Sequence, residues 1–308
     1  MHKFNIGGKI NHVQFLPDGE RLLIPVGSDS CDTLAIWNPL VDSRHTLIDS
    51  SAGFWWRPTR TALPRHGNHL FVAERDTVRR FHLADNQQFA WEVEDWVGHL
   101  LVSDDGQRVV VHTLRTLSAF DVDGKLQWEI DDVYSHFEEP PEADLTQLSV
   151  DSFEMLAIVG DCIVWRQDAW QSTKLRTINL SDGKVTSGFL PLPSISEATY
   201  VNSNGAGLFG VGDSYGIHIM DSENDWNSTK LFIKDHHGSE RFAFFGSHSI
   251  GVVPQSGHQI HMYDLQSLEK TQTLKWNIGE LTCLDFSPVT GMGVAGSQDG
   301  RVMLWDMD

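Results

Sequence analysis

Long apolar runs are missing from this 308-residue chain, and no stretch approaches the ~18 uninterrupted apolar residues of a membrane-spanning helix. Its opening, Met-His-Lys-Phe-Asn-Ile-Gly-Gly-Lys, lacks the apolar stretch of a secretory leader. Cysteine is scarce: Cys31, Cys162 and Cys283 are odd in number and far apart, which excludes a disulfide framework and fits a reducing compartment. Basic charge is scarce too. Against 42 Asp and Glu stand 23 Lys and Arg, and the net charge of −19 repels phosphate backbones and anionic membranes. Neither nucleic-acid binding nor a membrane partner is expected. Helical periodicity is also absent, since no window of about 15 residues sustains a 3.6-residue apolar period between caps. What remains is an ordinary globular balance, 40% hydrophobic and 21% charged, with enough apolar side chain for a sizeable core. A soluble, cytoplasmic protein is the expectation.

Repeated turns organise the rest. The segments Glu280-Leu-Thr-Cys-Leu-Asp-Phe-Ser-Pro-Val-Thr-Gly, Met292-Gly-Val-Ala-Gly-Ser-Gln-Asp-Gly and Arg301-Val-Met-Leu-Trp-Asp are alternating runs closed by turn signals, the pattern of an antiparallel meander. They resemble the WD-repeat family, whose unit is a four-stranded propeller blade ending in Trp-Asp. The end of the third strand recurs as Leu34-Ala-Ile-Trp-Asn38, Val78-Arg-Arg-Phe-His82, Leu117-Ser-Ala-Phe-Asp121 and Leu175-Arg-Thr-Ile-Asn179. It continues as Ile217-His-Ile-Met-Asp221, Ile260-His-Met-Tyr-Asp264 and Val302-Met-Leu-Trp-Asp306. Successive ends are 44, 39, 58, 42, 43 and 42 residues apart, centred on the period of about 40–45 residues that such repeats keep. Seven ends predict seven blades.

The predicted fold is therefore all-β: one seven-bladed β-propeller domain over residues 1–308, built of four-stranded antiparallel blades. First strands are expected at Ile10–Phe15, near Leu145 in blade four, and at Cys283 onward in blade seven. Blade seven lacks a fourth strand downstream of Asp306, and the alternating Lys3-Phe-Asn-Ile6 is expected to supply it, closing the ring. The resemblance spans the chain with sparse lettering. Only blade seven joins Trp305 and Asp306 to an Asp six residues earlier, Asp299; the matching positions elsewhere include Cys31, Arg75, Leu114, Ser214 and Gly257, and none is Asp. In the family this Asp belongs to a side-chain network within a blade, so Asp299, Trp305 and Asp306 are the structural residues the resemblance implies.

The 58-residue interval marks the candidate functional face. A proline-bearing loop over 131–144 and a second excess at Arg166–Thr173 fall between strands whose connections emerge on one face of the ring. From Leu126 to Trp165 there are ten acids and no Lys or Arg. Functional loops of this kind ride on rigid scaffolds, so Asp131, Asp132, Tyr134, Phe137, Glu138, Glu139, Glu142, Asp144, Arg166 and Trp170 are the candidate partner-binding residues. A partner with a basic surface is implied, and Trp165, which continues an apolar run, is expected in the core. The opposing reading is a solvated acidic loop.

Catalytic constellations do not emerge. Gly212-Asp-Ser-Tyr-Gly216 has the spacing of a hydrolase elbow but no helix after it, and reads as a turn. His66/His69 and His258/His261 would face opposite sides of a strand. Asp221-Ser-Glu-Asn-Asp225 lacks the glycine and the distal acid of a calcium loop. No metal or cofactor is predicted. The resemblance implies a non-catalytic interaction scaffold, a subunit of a larger complex. The alternative is an enzyme or small-ligand binder using the central channel, drawing on Asp29, Asp32, Asp213 and His258.

Overall fold

Alternating side chains yield strands throughout, and the described residues contain 27 of them and no helix. The computed structural model describes residues 1–26, 33–49, 61–113, 115–131, 153–169, 172–185, 200–204, 207–213, 216–232, 241–254 and 257–307. After β1 (His2–Asn5), blade one comprises β2 (Gln14–Phe15), β3 (Leu22–Val26), β4 (Thr33–Asn38) and β5 (Ser43–Asp49). Blade two follows with β6 (Thr61–Ala62), β7 (His69–Glu74), β8 (Thr77–His82) and β9 (Gln88–Glu92). Blade three is β10 (His99–Val102), β11 (Arg108–His112), β12 (Leu117–Asp121) and β13 (Leu126–Ile130). In blade four, β14 (Phe153–Val159), β15 (Cys162–Ala169) and β16 (Ser172–Asn179) are joined by a bridge from Ile178 to Val185.

Blade five is β17 (Tyr200–Ser203), β18 (Leu208–Asp213), β19 (Gly216–Asp221) and β20 (Asn227–Phe232). Blade six is β21 (Arg241–Phe245), β22 (Ser249–Val253), β23 (Gln259–Asp264) and β24 (Lys270–Lys275). Blade seven joins β25 (Leu281–Phe286), β26 (Met292–Ser297) and β27 (Arg301–Asp306) to β1. The fold is the seven-bladed β-propeller that the repeat pattern predicts. Two compact units divide it, one carried chiefly by blades five, six, seven and one, the other by blades two, three and four.

All seven predicted third-strand ends, Asn38 through Asp306, end a third strand. The last residue of the marker has a physical task in five blades. Its side-chain oxygen accepts an N–H two residues on, closing the turn into the fourth strand: Asn38 from Leu40, Asp121 from Asp123, Asn179 from Ser181, Asp221 from Glu223 and Asp264 from Gln266. Asn and Asp suit this role because a short polar side chain mimics a backbone turn.

The N-terminal strand completes blade seven as expected, with His2 opposite Leu304 and Asn5 opposite Arg301. Lys3 Nζ adds a bond to the Asn277 carbonyl at 2.7 Å. Two boundaries differ from expectation. In blade one only Gln14–Phe15 pair within the blade. Ile10 is fully buried, and its N–H donates instead to the Ser297 carbonyl at 3.1 Å, tying the segment to blade seven. In blade four the first-strand position is taken by Phe153–Val159, and Leu145 lies outside the described residues.

Four blade junctions share one device, an aromatic on or just after the fourth strand that reaches the third strand of the next blade or its end. Phe4 meets Trp37 edge-on at 4.9 Å, and Trp276 meets Trp305 at 4.5 Å. Trp91 packs on Phe120 at 6.0 Å, while Trp128 Nε1 donates to the Leu180 carbonyl at 2.9 Å. Each such aromatic pair adds about 0.5–1.5 kcal/mol beyond the area it buries. Gly124 (φ +77°) and Gly183 (φ +72°) lie directly under Trp91 and Trp128, where a Cβ would sit 2.8 Å from the indole in both cases.

Candidate functional site

Of the predicted partner-binding residues, Asp131 and Arg166 are among the described ones. Ile130 ends β13, and Asp131 follows it with its side chain exposed. Asp132, Tyr134, Phe137, Glu138, Glu139, Glu142, Asp144 and Trp170 lie outside the described residues. Arg166 is a strand residue opposite Leu175 in the β15–β16 ladder. The expected loop at Arg166–Thr173 is therefore mostly strand. Pairing continues through Gln167↔Lys174 and Asp168↔Thr173 to Ala169↔Ser172, leaving residues 170 and 171 between the strands. At 8 residues each, β15 and β16 exceed the 5 residues of β11 and β12 in blade three. Three extra residues per strand lengthen the hairpin by roughly 10 Å.

Beneath this hairpin the packing is close. Trp165 is fully buried, as expected, in a cluster with Val110, Leu117, Ile163 and Ile178. Its ring meets His112 at 4.9 Å, nearly perpendicular. Burial, with a smaller contribution from the like charge of His99, pushes the His112 pKa down to about 3. His112 is thus a neutral ring in the core at neutral pH. It and the buried Arg176, opposite Trp165 in the ladder, are not legible in the sequence, where each reads as an ordinary strand residue.

The other sequence features resolve locally. Gly212 and Asp213 end β18 and Gly216 opens β19, so the motif joins two strands as the turn reading requires, and Ser214 and Tyr215 lie outside the described residues. Asp221 accepts the Glu223 N–H at 3.0 Å, so its carboxylate closes its own turn. Among the described residues no three His, Cys, Asp or Glu side chains come together as metal ligands would. Of the channel candidates, Asp29 and Asp32 lie outside the described residues, Asp213 ends β18, and His258 is exposed. No helix of the described residues is long and apolar enough to cross a membrane. One recess that the sequence did not single out lies between blades two and three, lined by Glu92, Glu94 and Glu129 among others.

In blade seven Trp305 is 4% exposed and packs between Trp276 and Phe286, while Asp306 is exposed at the strand end. Asp299 is exposed and lies against the backbone of Gly279. The family described as "WD domain, G-beta repeat" matches residues 268–306, which span the fourth strand of blade six and the three following strands. The chain carries a WD repeat. Outside this segment the blades share the four-stranded meander without its lettering. No curated protein sequence matches the chain. Among solved structures it is similar to the Cps50 (Swd1) beta-propeller domain of Myceliophteria thermophila, at 13% identity and a TM-score of 0.70 over 100% of both chains. It is also similar to Kuenenia stuttgartiensis hydrazine synthase, at 14% identity and a TM-score of 0.68 over 99% of this chain and 97% of that one. At such identities the likeness is one of fold, and one of the two names is that of an enzyme, so the fold by itself does not assign an activity.

Proposed function

We propose that this WD-repeat propeller is a non-catalytic, cytoplasmic interaction scaffold within a multiprotein complex, and that it binds a protein partner with a basic surface through the blade-four loops. The observation that carries this reading is the lengthened β15–β16 hairpin. Its end lies beside the start of β14, where Phe153 stands opposite Gln167, and the sequence that leads into β14, 131–152, is rich in acids. A long hairpin offers reach on a rigid base, and the acids and aromatic residues of the 131–152 sequence offer charge complementarity and anchors to a basic partner. The whole chain is taken as one domain that presents this face.

The test is an affinity capture with the full chain, followed by titration of the captured partner against a variant in which 132–144 is replaced by a short Gly linker. Loss of binding with an unchanged melting temperature supports the reading, since loops outside the ladders tolerate shortening. Unchanged affinity overturns it.

A further inference from the structure

A groove of about 400 Å3 opens between blades two and three. One wall arises from a slip in register. Between Ala119 and Phe120 the β12–β13 ladder shifts, so that Leu126 lies opposite Phe120 while Glu129 lies opposite Ser118. Residues directly opposite share a face of the sheet, and the slip puts Leu126 and Glu129 on one side although they are three apart. Trp128, opposite Ala119, goes to the other side, where its indole reaches Leu180 of blade four. The facing wall is the end of β9 and its continuation, Glu92 and Glu94.

The groove has three properties that the fold does not demand. Glu92, Glu94 and Glu129 line it, with no Lys or Arg among its lining residues. Glu129 is held in place: Ser118, 3% exposed, donates its hydroxyl to Glu129 Oε2 at 2.7 Å. Independently of the charge, a large apolar side chain stands exposed in its lining. Leu126 is 48% exposed although it sits on a paired strand. An exposed apolar side chain on a rigid strand gives a partner a surface to pack on. The volume lies in the range of ligand-holding clefts, about 300–1,000 Å3, and suits a few residues of extended chain.

We propose that this groove docks a short basic and apolar segment of a protein partner. A Lys or Arg side chain enters among Glu92, Glu94 and Glu129, and an aliphatic or aromatic neighbour packs on Leu126. All its lining residues fall within 92–129, ahead of the strands of blade four. An acidic segment or a nucleic-acid backbone would be repelled by the same three carboxylates.

The probe is a random 12-residue peptide library displayed on phage and selected on the immobilised full chain, with enriched peptides then titrated as fluorescein conjugates by anisotropy. The enriched peptides are expected to place Lys or Arg beside an aliphatic or aromatic residue. They should lose roughly tenfold or more in affinity toward the Glu94→Gln/Glu129→Gln chain, as loss of a charge pair predicts. Glutamine at 129 still offers an oxygen to Ser118, so this variant keeps its fold, which its melting curve verifies. Leu126→Ser should weaken binding as well, and Glu280→Gln in blade seven should not. No enrichment, enriched peptides without a basic residue, undiminished binding to the double variant, or an equal loss in Glu280→Gln each overturns the proposal. Binding that survives the double variant but is lost on removing 132–144 overturns it too, and assigns the peptides to the blade-four loops instead.

Discussion

Phe4 and Trp37 meet edge to face, 4.9 Å between ring centroids and 89° between planes, so the first residues of the chain are fixed to blade one as well as to blade seven. Phe4 stands opposite Val302 in the ladder and joins the cluster of Ile10, Val294 and Leu304. Phe4→Ala is expected to lower stability by about 2 kcal/mol, below the 3–5 kcal/mol of a fully buried phenylalanine because this one is only partly covered. Removing Met1–Ile6 goes further, since β27 would be left with an unpaired edge that invites association. The truncated chain is expected to melt several degrees lower and to show dimers or aggregates by light scattering. Melting within a degree of the parent, as a monomer, would refute the closure.

A second prediction contrasts two glycines of equal backbone demand. Gly124 and Gly160 both have positive φ, +77° and +57°. A Cβ at Gly160 meets nothing within 4 Å, whereas at Gly124 it meets the Trp91 indole at 2.8 Å. Gly160→Ala should cost only the left-handed strain, roughly 1–2 kcal/mol. Gly124→Ala should cost about 1–3 kcal/mol more by displacing the indole. Denaturant midpoints of the two variants give the comparison, and equal losses would mean that the clasp yields freely.

Much of this architecture is readable because one residue type carries a geometric duty. Asp or Asn at the third-strand end accepts an N–H two residues on, so the turn stays marked where Trp-Asp is lost. Even His82, where the marker reads differently, ends its strand, and there the Asp85 carboxylate accepts the Gln87 N–H instead. Strand starts lack such a mark. Ile10–Phe15 alternates like a strand, yet Ile10 bonds to Ser297, a long-range choice that no local pattern encodes. The end of the β15–β16 hairpin looks like a loop in the sequence for a related reason: Arg166-Gln-Asp-Ala has no apolar alternation, and its pairing with residues 172–175 comes from the ladder begun at Cys162↔Asn179. The groove was hidden because the slip at Ala119/Phe120 decides which side Glu129 faces.

Binding through the acidic blade-four loops carries its own signature. Surface charges are screened over about 8 Å at physiological ionic strength, so affinity for the basic partner should fall severalfold between 50 and 300 mM salt, mainly through slower association. Replacing 132–144 by a Gly linker should flatten that slope. Affinity that ignores salt would place the binding energy in the aromatic residues of the hairpin.

The last prediction follows from His112. Burial beside Trp165 lowers its pKa to about 3 in the folded chain, while in the unfolded chain it takes up a proton near 6.5. Between those values the unfolded state holds the extra proton, so stability rises with pH across the window and is lost as pH falls below about 6.5. From pH 7 to pH 5 this one group should withdraw about 2 kcal/mol. His99, the neighbouring ring at 5.8 Å, adds to the penalty whenever it is charged. His112→Phe keeps an aromatic against Trp165 and removes the titration. Its denaturant midpoint is therefore expected to change less between pH 7 and pH 5 than that of the parent, by an amount worth about 2 kcal/mol, whatever its stability at pH 7. Parallel pH profiles for the two chains would show that His112 is reached by solvent and protonates in place, and the compact packing described beneath the blade-four hairpin would then be wrong.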